Sequence, residues 1–405
     1  MIITELASND EALGRALRTL FDAQQRIGPD NLAGVVEVVR VLLEADQARV
    51  HVADYAMQCF QVFEAAGPMG PSYLMEGTLA GRAFATGEMI VTDAAWWVPL
   101  VEGTERLGVL ELSYDSPRLE TPEFLGTVVT ALVLLTTSKR RYTDVWLRTR
   151  RAEALSPEAE MQWDLLPPLS CSTDDVAVSG MLEPAYAIGG DSFDYAINPG
   201  RLDVAIVDAV GHGMAAVLMA ACAINTLRNV RRESGTLEEA YRQADHLLDQ
   251  HFGNANYVTG LIGSLDFDTG VLTWINAGHV LPLLVRNGTY AGELHCAPSM
   301  PMGLGGRVLQ VATETLQRGD RVLFYTDGIS ESRSPDGSLF GRERLADFLV
   351  RATLDRLPTA ETARRLLAAV VAHVGQGLRD DATLLLIEYR ELDYSSVADG
   401  DGAPG

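Results

Sequence analysis

The stretch Leu202-Asp-Val-Ala-Ile-Val-Asp-Ala-Val-Gly-His-Gly-Met214 decides how this chain is read. It is an apolar strand, Leu202–Val207, that ends on Asp208 and runs through Val210-Gly211-His212-Gly213 into a helix expected over Met214–Arg228. The same arrangement recurs. Asp191 follows Gly189-Gly190, Asp327 ends Val322-Leu-Phe-Tyr-Thr and precedes Gly328, and Asp380-Asp381 precedes the strand Thr383–Glu388. Apolar strands with an acid at one end place carboxylates at the mouth of a sheet. Carboxylates gathered there repel one another unless a cation neutralises them. Hard oxygen ligands without histidine or thiolate partners suit Mg²⁺ or Mn²⁺ rather than zinc. Flanking glycines let the backbone approach closely. One Asp-Gly carries no weight, because it is a common turn signal. Asp266, Asp268-Thr-Gly and Asp336-Gly read as ordinary turns in the same region. The residue pattern by itself leaves turns and a metal cluster both open.

The wider composition narrows the field. The 405 residues carry a formal charge of −23, and Lys139 is the only lysine among 32 basic residues. So acidic a chain repels phosphate backbones and anionic bilayers, so neither a nucleic-acid nor a membrane-surface binder is expected. A P-loop NTPase, a Schiff-base enzyme and a typical protein kinase each need a lysine in the site and are nearly excluded. Hydrophobic residues make up 47% of the chain, enough for sizeable cores. The longest apolar stretch, near Phe124–Thr137, is too short for a membrane span, and Met1-Ile-Ile-Thr-Glu-Leu lacks a basic, signal-like start. A cytoplasmic protein is expected. Cys59, Cys171, Cys222 and Cys296 form no C-x-x-C pair, so they read as buried apolar residues.

The chain is expected to be α+β in four parts. Residues 1–120 read as a mixed α/β module, with helical spacing over Ala12–Ile27 and Asn31–Leu43 and strands at Arg49–Val52, Phe60–Phe63, Val91–Thr92, Trp97–Val101 and Leu107–Leu112. Glu102-Gly103-Thr104 supplies the hairpin turn between the last two. Trp97-Val-Pro-Leu-Val followed by Arg106-Leu-Gly-Val-Leu-Glu-Leu resembles the closing hairpin of GAF sensor domains. That resemblance implies an unknown ligand or protein signal at this module. His51 lies in a strand-like run, where a satisfied strand histidine is favoured over a haem ligand.

Residues 121–165 read as a long helical, coiled-coil-like linker. Leu125, Val128, Leu132, Leu135, Lys139, Tyr142, Trp146 and Thr149 alternate spacings of three and four, an a/d seam. Two outcomes are open: a helix packed on its own domain, or a parallel homodimer joined through this helix with Lys139 in the seam. Pro157 and Pro167-Pro168 mark the end of the connector. Residues 166–390 form the domain that carries the acids, and 391–405 read as a disordered tail.

Leu165-Leu-Pro-Pro, Gly189-Gly-Asp-Ser-Phe-Asp, Val207-Asp-Ala-Val-Gly-His-Gly-Met-Ala-Ala, Asn276-Ala-Gly-His, Tyr325-Thr-Asp-Gly-Ile-Ser-Glu and Asp380-Asp-Ala-Thr occur in this order. Together they resemble the bacterial serine phosphatases of the sporulation stage II protein E type, in the metal-dependent protein phosphatase 2C superfamily. The resemblance implies an α-β-β-α sandwich with two Mn²⁺ or Mg²⁺ ions at one end. Asp208 would match the bridging ligand and the carbonyl of Ala209 its backbone neighbour. Asp191 would match the ligand of the second metal, and Asp327 and Asp380 the acids completing the first. Asp208, Asp191, Asp327 and Asp380 are thus the candidate catalytic residues. Asp381 reads as orienting Asp380. Asp194, three residues beyond Asp191, reads as structural, His212 as local to the helix start, and His279 as organising a loop. Val207 and Ala209-Val210 depart from the family pattern, but neither removes a ligand side chain.

The implied activity is metal-assisted hydrolysis of phosphoserine or phosphothreonine by a water-derived nucleophile. The implied partner is a phosphorylated anti-anti-sigma protein with a STAS domain, with the N-terminal module controlling the phosphatase through the linker. Other readings are a non-catalytic phosphoprotein-binding switch module, a phosphatase output of a small-molecule sensor acting on another substrate, and a different metal hydrolase such as a nuclease or cyclic-nucleotide phosphodiesterase. The last usually recruits histidines or basic grooves, and neither is apparent.

Overall fold

The computed structural model describes residues 2–63, 72–117, 124–184, 186, 189–253, 255–375 and 377–391. The mixed α/β chain divides into two compact units, Met1–Ala154 and Leu155–Gly405. The tail reading, beyond Glu391, lies outside the described residues, as does the start of the linker at 121–123.

The N-terminal unit runs α1 (Ile2–Arg26), α2 (Leu32–Leu42), β1 (Gln47–Ala53), β2 (Cys59–Phe63), β3 (Ser72–Leu74), α3 (Leu79–Thr86), β4 (Ile90–Val91), β5 (Ala95–Glu102), β6 (Glu105–Ser113), α4 (Leu125–Arg140) and α5 (Val145–Thr149). The strands form one antiparallel sheet in the order β3-β2-β1-β6-β5-β4. Alternation sends Val50, Val52, Trp96, Leu110 and Leu112 to the face covered by α1, α2 and α4. The other face carries His51, 4% exposed. Its Nε2 lies 2.9 Å from Glu111 Oε2 and its Nδ1 2.7 Å from the Tyr73 hydroxyl. Both ring nitrogens are therefore partnered, as a satisfied strand histidine requires.

The long linker helix does not form. α4 ends at Arg140, α5 is a separate short turn, and a new helix begins at Pro157. Pro157 starts that helix rather than ending a connector: it sits at the first helical position behind the N-cap Ser156, whose side chain accepts from the Ala159 N–H. The seam is also spent. Leu125, Val128, Leu132, Leu135 and Trp146 belong to the core of their own unit, and Lys139 Nζ donates to the Ile27 carbonyl at 2.6 Å. Most of the seam thus faces the helices and sheet of its own unit, while Tyr142 is exposed. The cause is that α4 is apolar on more than one stripe: Val129, Ala131 and Val133, off the seam, are buried as well.

The C-terminal unit runs α6 (Pro157–Leu165), β7 (Ser170–Ser172), β8 (Val176–Glu183), β9 (Asp191–Asn198), β10 (Arg201–Ala209), α7 (Met214–Arg232), α8 (Leu237–Phe252), β11 (Val258–Asp266), β12 (Val271–Ala277), β13 (Leu283–Arg286), β14 (Thr289–Glu293), β15 (Val311–Thr315), β16 (Arg321–Tyr325), α9 (Asp327–Ser330), α10 (Gly341–Leu354), α11 (Thr359–Val374) and β17 (Ala382–Tyr389). Two antiparallel sheets, β15-β12-β11-β10-β9 and β14-β13-β16-β17-β8-β7, pack face to face. α7 and α8 cover the first, and α10 and α11 the second. In each sheet the central strands are mostly apolar, as a layer covered on both faces demands; every residue of β8 and of β16 is buried.

Leu132→Ala is expected to destabilise the N-terminal unit by about 3 kcal/mol, the cost of emptying a well-packed core site. The readout is the melting temperature of the full chain. Light scattering should show the same oligomeric state for both proteins, and a shift to a smaller species would restore the seam.

Candidate metal centre

Four of the acids converge because strand ends converge. Asp208 is the penultimate residue of β10, and Asp191, the first of β9, is its partner across the ladder. Asp327 opens α9 directly after β16, and Asp380 precedes β17, which pairs with β16. Asp208, Asp327 and Asp380 line a cavity of about 250 Å³ together with Ala209, Thr259 and His279. Asp191 does not line it. It is 3% exposed and sits behind Asp208.

The ladder geometry explains the crowding of Asp191 and Asp208. Ala209 N–H donates to the Gly190 carbonyl at 3.1 Å, so the neighbouring pair Asp191–Asp208 falls at a non-hydrogen-bonded position, where side chains stand closest. Electrostatics follow. Burial raises the Asp208 carboxyl to about 7, with repulsion from Asp327, Asp380 and Asp381 adding to it. Burial likewise holds Asp191 well above the usual carboxylate range, helped by Asp208 and Asp381. Asp327 is raised by burial and by Asp380. Without a cation each of these groups is pushed towards its protonated form.

The Gly189-Gly190 turn is sterically forced. A Cβ on Gly189 would overlap the Asp381 carboxylate, and one on Gly190 would strike the Ala209 carbonyl. Asp381 touches Asp380 as expected and Asp191 as well. Its carboxylate faces this turn and accepts from the Asp191 N–H at 3.3 Å, so it braces Asp191, while its own N–H donates to Asp380 Oδ1 at 3.0 Å. Asp194 is structural as expected: it is 2% exposed in its side chain and pairs with Arg228 at 2.7 Å and Arg231 at 2.9 Å, both from α7.

Two further residues hold the site. Thr326, fully buried, donates from Oγ1 to Asp191 Oδ2 at 2.6 Å and accepts from the Thr383 N–H at 3.0 Å. Gln162 of α6 donates from Nε2 to the Asp191 carbonyl at 2.5 Å. Each had a signal in the sequence. Thr326 is the polar residue closing an apolar strand, and Gln162 is the polar residue on the buried stripe Ala159, Gln162, Leu165.

His279 organises a loop beside the cavity. Asn276 brackets it by accepting from its N–H at 2.6 Å and donating to its carbonyl at 2.9 Å. Its Nε2 is 3.1 Å from the Tyr325 carbonyl, and its Nδ1 is 2.9 Å from Thr259 Oγ1. A carbonyl can only accept, so Nε2 carries the hydrogen and Nδ1 accepts from Thr259. Burial lowers this imidazole to about 4, so it is neutral. His212 is exposed in the loop before α7.

Divalent cations fit this donor set by chemistry. It offers only oxygens, and its mutual repulsion is relieved by positive charge. Among the described residues no three His, Cys, Asp or Glu side chains gather round one point as ligands of a single ion. Mg²⁺-type ions do not need such a cage, since they keep several waters and take one or two carboxylates. Asp191, Asp208, Asp327, Asp380 and the Ala209 carbonyl are the oxygens that could hold them.

The protonation of Asp208 has a stability consequence. Its folded pKa, about 7, lies above the unfolded value of about 3.9. Between these values the folded state binds more protons than the unfolded, so stability falls as pH rises. The metal-free chain should lose a few degrees of melting temperature between about pH 5 and about pH 8. Asp208→Asn, neutral throughout, should lose less, and equal losses in both proteins would contradict the shift.

Comparison with known proteins places this geometry in context. Residues 198–390 match the family described as Stage II sporulation protein E (SpoIIE). Protein IcfG of Synechocystis sp. (strain ATCC 27184 / PCC 6803 / Kazusa) is 22% identical over 262 residues, covering 57% of this chain and 40% of that protein. Phosphoserine phosphatase RsbP of Bacillus subtilis (strain 168) is 23% identical over 164 residues, 39% of this chain and 40% of that protein. The match therefore spans two fifths of the length of each of these curated relatives. Among solved structures, the RsbU and RsbW domains of Rv1364c from Mycobacterium tuberculosis align with a TM-score of 0.47 and 30% identity, covering 56% of this chain and 63% of that one.

Proposed function

We infer, from the premise that this chain carries a SpoIIE-type phosphatase domain of the protein phosphatase 2C kind, that its C-terminal unit hydrolyses phosphoserine or phosphothreonine on a regulatory protein with Mn²⁺ or Mg²⁺. The observation that carries the reading is the convergence of Asp208, Asp327 and Asp380 on one cavity with Asp191 behind them. The domain reading keeps residues 1–120 as a GAF-like sensor and 166–390 as the phosphatase. The six-stranded antiparallel sheet, with α2 and α4 on one face and α3 against β5 and β6, supports the sensor part. The partner reading is a phosphorylated STAS-domain anti-anti-sigma protein. It is supported by the ordered motif set and by similarity to a protein named as a phosphoserine phosphatase. No helix among the described residues is long and apolar enough to cross a membrane, and a cytoplasmic setting belongs to the same proposal.

Bound divalent cations would supply positive charge for a phosphate dianion and bring the pKa of water towards neutrality. The protein's own share is positioning. Asp208, Asp327 and Asp380 present oxygens to the cavity, and the Gly189-Gly190 turn makes room for the Ala209 carbonyl. The cavity wall offers no side-chain acid of the histidine type: both nitrogens of His279 are engaged and the ring is neutral. No cysteine or serine nucleophile lies among the residues lining the cavity, which suits direct displacement at phosphorus rather than a phosphoenzyme.

Mn²⁺-dependent release of nitrophenol from p-nitrophenyl phosphate tests the reading on the full chain. Asp208→Asn should cost more than the roughly 10–100-fold that loss of an outer-shell partner costs a metal site. An Asp208→Asn protein as active as the wild type would remove the assignment.

A further inference from the structure

We propose that Gln162 is a positioning residue for Asp191, holding the main chain of that ligand where β-sheet pairing cannot. The inference rests on the reading of Asp191 as a metal ligand. It begins with the sheet. β9 is the edge strand of its five-stranded sheet. Its ladder bonds to β10 run through Gly190, so the N–H and C=O of Asp191 turn to the open edge. Asp191 is buried, and buried backbone groups left unpaired are costly. A second strand would ordinarily satisfy them. Here two side chains substitute: Asp381 accepts from the N–H at 3.3 Å, and Gln162 donates to the carbonyl at 2.5 Å. Thr326 takes one carboxylate oxygen at 2.6 Å. Asp191 is thus gripped at its N–H, its carbonyl and its side chain by three residues far apart in sequence.

Gln162 can do this because α6 is rigidly docked. Ser156 caps its start, and Arg228 Nη2 donates to the Leu165 carbonyl at its end at 2.7 Å. Ala159 and Leu165, on the same stripe, are buried and fix the rotation of the helix. Gln162 itself is 3% exposed. An apolar residue at 162 would fill the volume but leave the Asp191 carbonyl without its donor, and the strand start that carries the carboxylate would be free to shift. Outer-shell partners of this kind fix ligand orientation, and their loss weakens metal binding about 10–100-fold.

The test is Mn²⁺ binding to the metal-free full chain by titration calorimetry, with p-nitrophenyl phosphate turnover at saturating Mn²⁺ as a second readout. Gln162→Met, which keeps the apolar volume, should raise the Mn²⁺ dissociation constant about tenfold or more, with turnover at saturation close to wild type and a metal-free melting temperature lowered by about a few degrees at most. Gln162→Ala is the second variant, should the longer side chain disturb folding, and should weaken Mn²⁺ binding in the same direction. Wild-type Mn²⁺ affinity in folded variants would overturn the positioning role. So would a loss of turnover at saturation with affinity unchanged. Asp191→Asn separates the premise from the inference: if it binds Mn²⁺ as tightly as the wild type, the ligand reading of Asp191 fails and the role of Gln162 falls with it.

Discussion

Repulsion among carboxylates at the shared end of two sheets is the constraint on which the C-terminal unit is built. Asp191 and Asp208 face one another across an antiparallel ladder, with Asp327 and Asp380 arriving from the second sheet. Burial and mutual repulsion raise Asp191, Asp208 and Asp327 together. In the metal-free fold this shifts the acids towards their protonated forms. The strain is offset by apolar strands behind it: every residue of β8 and β16 is buried, and the residues of β10 from Leu202 to Val207 are buried too. The sandwich supplies the stability and its end supplies the chemistry.

The division of labour shows in which residues touch Asp191. None of its three braces, Gln162, Thr326 and Asp381, lies on the strand that carries it. They come from the helix before the first sheet strand, the end of β16 and the start of β17. An edge strand has one free side, and that side is where such braces can reach. A central strand would have given the same main-chain atoms to a neighbour and left no route for side chains to hold them. The placement of a buried acid on an edge strand and the gathering of polar side chains around it are therefore one arrangement.

Much of this was legible in the sequence, and the rest was not for identifiable reasons. Strands ending in acids were readable because alternation and turn glycines are local signals. The structural role of Asp194 followed from strand parity, and Arg228 and Arg231 supply the pairing that parity could not name. The linker was misread because an a/d spacing is common to a coiled coil and to a helix buried in its own domain. The distinguishing residues were present: Val129, Ala131 and Val133 lie off the seam, where a two-stranded coil would show them to water. Ser156-Pro157 was likewise a helix start rather than a stop, since proline at the first helical position forfeits no hydrogen bond. The Asp381 contact to Asp380 was legible from adjacency, but its carboxylate's second contact, to the Asp191 N–H, was not, because adjacency in sequence says little about which way a carboxylate turns at a strand start.

Electrostatics finally separate acids that sequence treats alike. Asp266 and Asp336 occupy tight turns, as Asp208 and Asp327 occupy Asp-Ala and Asp-Gly junctions. Asp266 accepts from the Thr269 hydroxyl and N–H, and Asp336 from the Ser334 and Ser338 hydroxyls and the Ser338 N–H. Hydrogen-bond donors lower both carboxyls, Asp336 to about 2. Each turn acid has found its donors within a few residues and needs no ion. Asp208 is raised to about 7 by burial, and its acidic neighbours add to the shift. A carboxylate satisfied by local donors ends a strand. One surrounded by carboxylates leaves a negative charge that only a proton or a cation can balance, and that difference marks the metal centre among the many aspartates of an acidic chain.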